Sequence, residues 1–181
     1  MRCGILIAFA LVVGGIVSTI SAQTLPPASE KRAERYSDWR SSIRSAERAV
    51  AHGRLDEAAD AYLRIVEEAE RIEDRSLLHV RALDGLAALR LGQGQYGEAE
   101  RLYVRCIPLW ERLLGVDQPR IAVTLTNLAV ARMNGGDCDG ARETFDRALV
   151  ILDAAGEHGS AGAATARDGL LELDRRCTAE R

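Results

Sequence analysis

The sequence predicts an all-α protein, a right-handed α-solenoid of three antiparallel helix pairs plus a C-terminal capping helix. Three observations carry this expectation. Alanine, leucine, arginine and glutamate are prominent while aromatics make up only 4% of residues, a mixture that favours helices over a sheet of aromatic and β-branched side chains. Apolar residues recur at helical spacing between short glycine-containing turns. The same pattern then returns along the chain at a nearly constant interval, the mark of a stacked array.

The elements follow in chain order. Arg2 precedes an uncharged run from Gly4 to Val17, and Ser18 to Ala22 are mostly small. This is a signal-peptide layout over residues 1–22, with cleavage before Gln23; without cleavage the same segment would tether the domain to the membrane. The apolar run is shorter than the roughly 20 residues that span a bilayer. Cys3 lacks the approach sequence of a lipid attachment site. Residues 23–29, with Pro26 and Pro27, read as a disordered linker, and the folded domain as 30–181.

Within that domain Gly53-Arg-Leu-Asp-Glu-Ala58, Gly94-Gln-Tyr-Gly-Glu-Ala99 and Gly136-Asp-Cys-Asp-Gly-Ala141 each place a glycine five residues before an alanine. The glycines recur after 41 and 42 residues. Beyond each alanine stand an aromatic (Tyr62, Tyr103, Phe145) and then a small or aliphatic residue (Ile65, Cys106, Ala148), all on one helix face. Upstream, Leu86-Ala87 and Leu128-Ala129 match, with Ser45-Ala46 a weaker counterpart. Each unit is therefore a helix, a glycine turn and a second helix packed antiparallel on the first. The punctuation predicts helices over residues 29–52, 55–71, 76–91, 96–114, 120–134, 138–155 and 160–177. Pro108 should bend the fourth. The repeats run over about 39–74, 75–117 and 118–156, and residues 160–177 form a cap whose outer side is polar through Asp168, Glu172 and Arg175.

This glycine, alanine, aromatic, alanine pattern resembles the tetratricopeptide-repeat family. The interval exceeds that family's usual length of about 34 residues. With Leu114-Gly-Val-Asp-Gln-Pro119-Arg-Ile-Ala122 and Thr124-Leu-Thr-Asn-Leu-Ala129, it is similar to the longer variant of kinesin light chains and many bacterial proteins. Arg90 and Arg132 depart from the pattern, standing where it prefers an aromatic, as does Gln118, where the long variant has histidine. The resemblance implies that a partner's peptide or helix binds in a concave groove lined by the first helix of each pair. Carried over by position, the groove residues are Arg40, Ile43, Arg44 and Glu47, then Arg81, Asp84 and Ala88, then Val123, Thr126, Asn127, Val130 and Asn134. Asn127 can both donate to and accept from an extended peptide backbone, or make an ordinary hydrogen bond between helices. Arg40, Arg44 and Arg81 either form a basic patch for a carboxylate-bearing partner or are solvated arginines paired with Glu47 or Asp84.

Cys106 sits at a small core position and reads as a buried, inert thiol. Cys138 opens the second helix of the third pair and Cys177 closes the cap. Antiparallel stacking brings those ends side by side, so a Cys138–Cys177 disulfide is geometrically reasonable, although cysteine positions alone leave the connectivity open. The formal net charge is -3 with both signs interspersed, which argues against nucleic acid as a partner. His52, His79 and His158 are scattered, and no metal-ligand spacing, Walker loop, dinucleotide fingerprint or nucleophile elbow occurs. The acidic pairs Glu67-Glu68 and Glu98 with Glu100 read as solvated faces with partners one turn away. The expectation is an exported, non-enzymatic scaffold or adaptor in the periplasm or outside the cell, without cofactor or metal, binding a protein or peptide. It would touch membrane only through an uncleaved leader. A self-associating homo-oligomer, or an accessory subunit of an envelope enzyme, is the alternative.

Overall fold

A computed structural model describes residues 28–178, so the signal-peptide expectation lies outside the described residues, as does the linker up to Pro27. The described chain forms seven helices: α1 (Ala28–Ala51), α2 (Leu55–Arg71), α3 (Leu77–Gly92), α4 (Tyr96–Leu114), α5 (Pro119–Asn134), α6 (Cys138–Ala154) and α7 (Ala161–Thr178). No strand occurs among the described residues. Helix α1 begins at Ala28, so Ala28 and Ser29 belong to the helix and not to a linker.

The recurring glycine has a backbone cause. Gly53, Gly94 and Gly136 hold φ of 72°, 74° and 88°, the left-handed region in which a Cβ is penalised. The residue after each glycine donates its N–H to a carbonyl five back: Arg54 to Ala49, Gln95 to Arg90 and Asp137 to Arg132, each at 2.9 Å. These turns close the last orphan carbonyls of α1, α3 and α5 and reverse the chain into the next helix. Pairs α1–α2, α3–α4 and α5–α6 result, each pair packing on the next.

The repeated alanines Ala58, Ala99 and Ala141 are wholly buried where the paired helices meet. Tyr62, Tyr103 and Phe145 are buried one turn further on, each reaching under the first helix of the following pair. A Cβ added at Gly85 would lie 2.6 Å from the Tyr62 ring, and one at Gly169 2.4 Å from the Phe145 ring. The absence of a side chain at these two positions lets helix and ring meet. Asn127 occupies the matching position over Tyr103.

The main apolar core runs continuously through α1 to α6 and reaches the first turn of α7 at Ala163, and a second cluster, including Ala129, Phe145, Ala166 and Leu173, lies beneath the rest of α7. Ser160 accepts from the Ala163 amide at 3.2 Å, starting α7. Cys138 and Cys177 are joined with Cα atoms 6.3 Å apart, and Cys106 is a buried free thiol. Asp168 and Arg175 face solvent on α7's outer side, together with the apolar Ala164 and Leu171. At the other end, Trp39 and Arg35 both donate to Glu68, and the Tyr36 hydroxyl donates to Asp74 at 2.5 Å.

The first helices of successive pairs touch one another, α1 on α3, α3 on α5 and α5 on α7, whereas α2, α4 and α6 do not approach each other. The array therefore curves with α1, α3, α5 and α7 on its inner side and with clefts between the outer helices. Ion pairs Arg105–Glu70 and Arg147–Glu111 span those clefts at matching repeat positions. The two departures from the family pattern are also explained. Arg90 reaches Glu98 at 3.1 Å, and Arg132 reaches Glu100 at 2.9 Å and the Thr144 hydroxyl at 2.8 Å. Glu98 and Glu100 are thus not simply solvated; their partners come from neighbouring helices, because packed helix pairs place an arginine closer than the next turn of α4 does.

Candidate functional site

The inner surface is built from one stripe of each inward helix. On α1, Arg40 and Arg44 are exposed; the Arg40 Nε donates to the Tyr36 carbonyl at 3.2 Å. Arg81 on α3 pairs with Glu47 on α1 at 2.6 Å. One turn along α3, Asp84 pairs with Arg120 on α5 and accepts from the Thr124 hydroxyl at 3.3 Å. Adjacent inner helices are therefore cross-linked in sequence by Glu47–Arg81 and Asp84–Arg120.

These charges surround a hollow of about 440 Å³ that also exposes edges of Tyr62 and Trp110. The Arg120 guanidinium lies 5.1 Å above the Trp110 ring, a cation–π contact. Burial pushes the Asp84 carboxyl up from its ordinary value, opposed by Arg120 and Thr124; its side chain is only 12% exposed. Asp84 is therefore a partly desolvated charge held by its partners, unlike the freely solvated Arg40 and Arg44. Below the hollow, the Trp110 Nε1 has no hydrogen-bond partner within the described residues, and Tyr103 is wholly buried. Burial raises the Tyr103 phenol's pKa, and the Asn127 amide beside it works in the opposite direction.

Several sequence expectations change here. The three-arginine patch reduces to Arg40 and Arg44, since Glu47 neutralises Arg81. The pairing choice for Asp84 is resolved by a residue outside the expected set, Arg120. Only packing brings α5's first turn against the middle of α3, and no local motif announces it. Ile43 is core. Thr126 is also buried, and its hydroxyl donates to the Ala122 carbonyl at 2.9 Å, so it does not line the groove. Val130 packs into the cluster beneath α7, and Asn134 donates to the Val130 carbonyl while accepting from Arg176. The cap therefore uses the end of α5 that position alone assigned to a partner. Ala88 and Val123 are exposed and Asn127 is half-buried. Among the described residues, no group of three His, Cys, Asp or Glu side chains could hold a metal, and no helix is long and apolar enough to cross a membrane.

Comparison with known proteins agrees with this architecture. Residues 79–149 match the model of a family described as tetratricopeptide repeat. The chain is similar in structure to a TPR-like protein from Chlorobium tepidum TLS, with a TM-score of 0.61 and 18% sequence identity, over 80% of this chain and 99% of that one. No curated protein matches the chain in sequence. Repeats of this kind generally mediate protein–protein interaction from non-catalytic helical scaffolds. Taking the glycine turns, the aromatic beneath each inner helix and the curved stacking together with the match over α3 to α6, residues 79–149 are similar to tetratricopeptide repeats and the described chain has the all-α solenoid fold of a TPR-like protein.

Proposed function

We propose that this chain is a non-enzymatic scaffold or adaptor of the cell envelope, holding a segment of a partner protein against α1, α3 and α5. The observation that carries the reading is the inner row of helices, where Arg40, Arg44, Ala88, Val123 and Asn127 stay open to a ligand while Glu47–Arg81 and Asp84–Arg120 stiffen the surface. A rigid, prepaid surface loses little entropy on binding. Arg40 and Arg44 favour an acidic or carboxylate-bearing segment near α1. The long repeat interval supports kinship with the kinesin-light-chain-like variant, and the Gly4 to Val17 run ending at Ala22 supports export.

The test is crosslinking and capture from the native envelope with wild type and with Arg40→Glu, Arg44→Glu and Asn127→Ala combined. A partner held by wild type and lost by the variant is the expected result. Equal capture by both would remove the groove as the binding surface. Export is checked by N-terminal sequencing of the envelope fraction, which should begin at Gln23; an intact Met1 chain confined to the cytoplasm would refute it.

A further inference from the structure

The outer face carries a second cavity of about 560 Å³ between α2 and α4, floored by α3. Leu83 and Leu109 are buried in its wall and Val104 is exposed beside them. His79, only 5% exposed, lines it too. Its Nδ1 lies 2.6 Å from the Asp74 carbonyl oxygen, which can only accept, so Nδ1 carries the proton and Nε2 presents a lone pair. That Nε2 has no hydrogen-bond partner within the described residues. Arg75 and Arg112 also line the cavity and form no ion pair among the described residues. Both are near enough to act electrostatically on His79. The cavity's acidic groups are largely engaged: Glu70 by Arg105, and Asp74 by the Tyr36 hydroxyl and the Ser76 amide. Glu73 is the remaining carboxylate.

The next repeat provides an internal control. The cleft between α4 and α6 has the same Arg–Glu bridge, Arg147–Glu111. At the positions matching His79, Arg75 and Arg112 stand Ile121, Asp117 and Ala154. The fold therefore needs neither a buried imidazole with an unpaired nitrogen nor two unpaired guanidiniums there.

We propose that this outer cavity is a binding site for a small amphipathic carboxylate: the carboxylate on Arg75 and Arg112, an apolar body against Leu83, Val104 and Leu109, and an N–H or O–H donor on His79 Nε2. Guanidinium groups match a carboxylate's geometry, and an acceptor buried without a partner selects ligands that bring a donor. The site is separate from the inner groove and does not depend on it.

N-acetyl-leucine has all three features. N-acetyl-leucinamide lacks the carboxylate, and 4-methylpentanoate lacks the N–H. Calorimetry on the purified protein should show saturable binding of N-acetyl-leucine, with both analogues weaker, and hydrogen–deuterium exchange should slow across residues 73–79 and 104–112. Arg75→Ala and Arg112→Ala should each weaken binding about tenfold, the loss of one charge-assisted contact. His79→Ile, which installs the next repeat's residue, should keep the melting temperature while abolishing the preference for N-acetyl-leucine over 4-methylpentanoate. A peptide ending in free leucine that binds equally well would identify a polypeptide carboxyl end as the source; binding of N-acetyl-leucine alone would identify a free small molecule. Absence of saturation at millimolar ligand, equal binding of the leucinamide, or arginine variants that bind like wild type would overturn the proposal.

Discussion

Breaking the Cys138–Cys177 bridge tests how the cap is held. The two cysteines are 39 residues apart in sequence. Removing a cross-link over such a loop returns about 13 cal/mol/K of chain entropy to the unfolded state, or about 4 kcal/mol at room temperature as an upper value. A chain of this size melts about 2–4 °C lower per kcal/mol lost, so Cys138→Ser with Cys177→Ser should lower the melting temperature by as much as about 8–16 °C. Without the bridge, α7 retains Ala166 and Leu173 in the second cluster and the Arg142–Asp174 and Arg176–Asn134 contacts. The two polar contacts are solvent-exposed and contribute little. Repeat arrays open from their ends, so the loss should concentrate in α7. Circular-dichroism melting of wild type, the double variant and the reduced protein gives the global figure. Hydrogen–deuterium exchange should show faster exchange in residues 161–178 and little change in α1 to α4. A double variant melting within about 2 °C of wild type, with unchanged α7 exchange, would refute the reasoning. So would alkylation of both thiols in protein taken from its native compartment.

Four further outcomes follow from the same geometry. Gly169→Ala gains about 0.5–1 kcal/mol of helix propensity but drives its Cβ into the Phe145 ring, so denaturant midpoints should show a net loss of about 1–2 kcal/mol; Gly92→Ala, with open space around it, should not lose stability. Glu73 holds φ of 54° at a turn where Gly115 and Gly156 serve the later repeats, so Glu73→Gly should stabilise by about 0.5–1 kcal/mol in urea unfolding. Arg132→Ala removes the contacts to Glu100 and Thr144, of which Thr144 keeps the Gly140 carbonyl and Glu100 can turn to solvent, and should cost about 1 kcal/mol, whereas Arg132→Phe, the residue type the repeat pattern prefers, should recover part of that. Although burial opposes it, hydrogen bonds from Ser76 and Tyr36 hold the Asp74 carboxyl below its ordinary 3.8. Its stabilisation is therefore complete above that value and lost as pH falls through the folded one, and urea midpoints of wild type and Asp74→Asn should converge on acidification.

Much of the fold was legible because its signals are local. The glycines at 53, 94 and 136 mark turns whose backbone requires them, and the alanine and aromatic one turn apart define the packing face. Helix boundaries at these points depend on neighbouring residues alone. The inner surface was only partly legible. Repeat position identifies the inward helix, and Arg40, Arg44, Ala88 and Val123 are indeed exposed on it. Position cannot show that α7 would consume Val130 and Asn134, nor that Thr126 would turn inward to Ala122. The matching spacing of Asn134 and Arg176 was a usable signal for the first of these; for Asp84 with Arg120 the sequence holds no comparable mark.

By itself, then, the sequence determined the helical class, the number of helix pairs and the turn that joins each pair, since these rest on backbone conformation and on periodic burial within one unit. Tertiary structure alone decided which charges meet across helices, which groove residues stay free, and that the outer cleft gathers His79, Arg75 and Arg112. Those outcomes depend on the contact of inner helices and the separation of outer ones, a curvature set by how side chains from different repeats fill shared space.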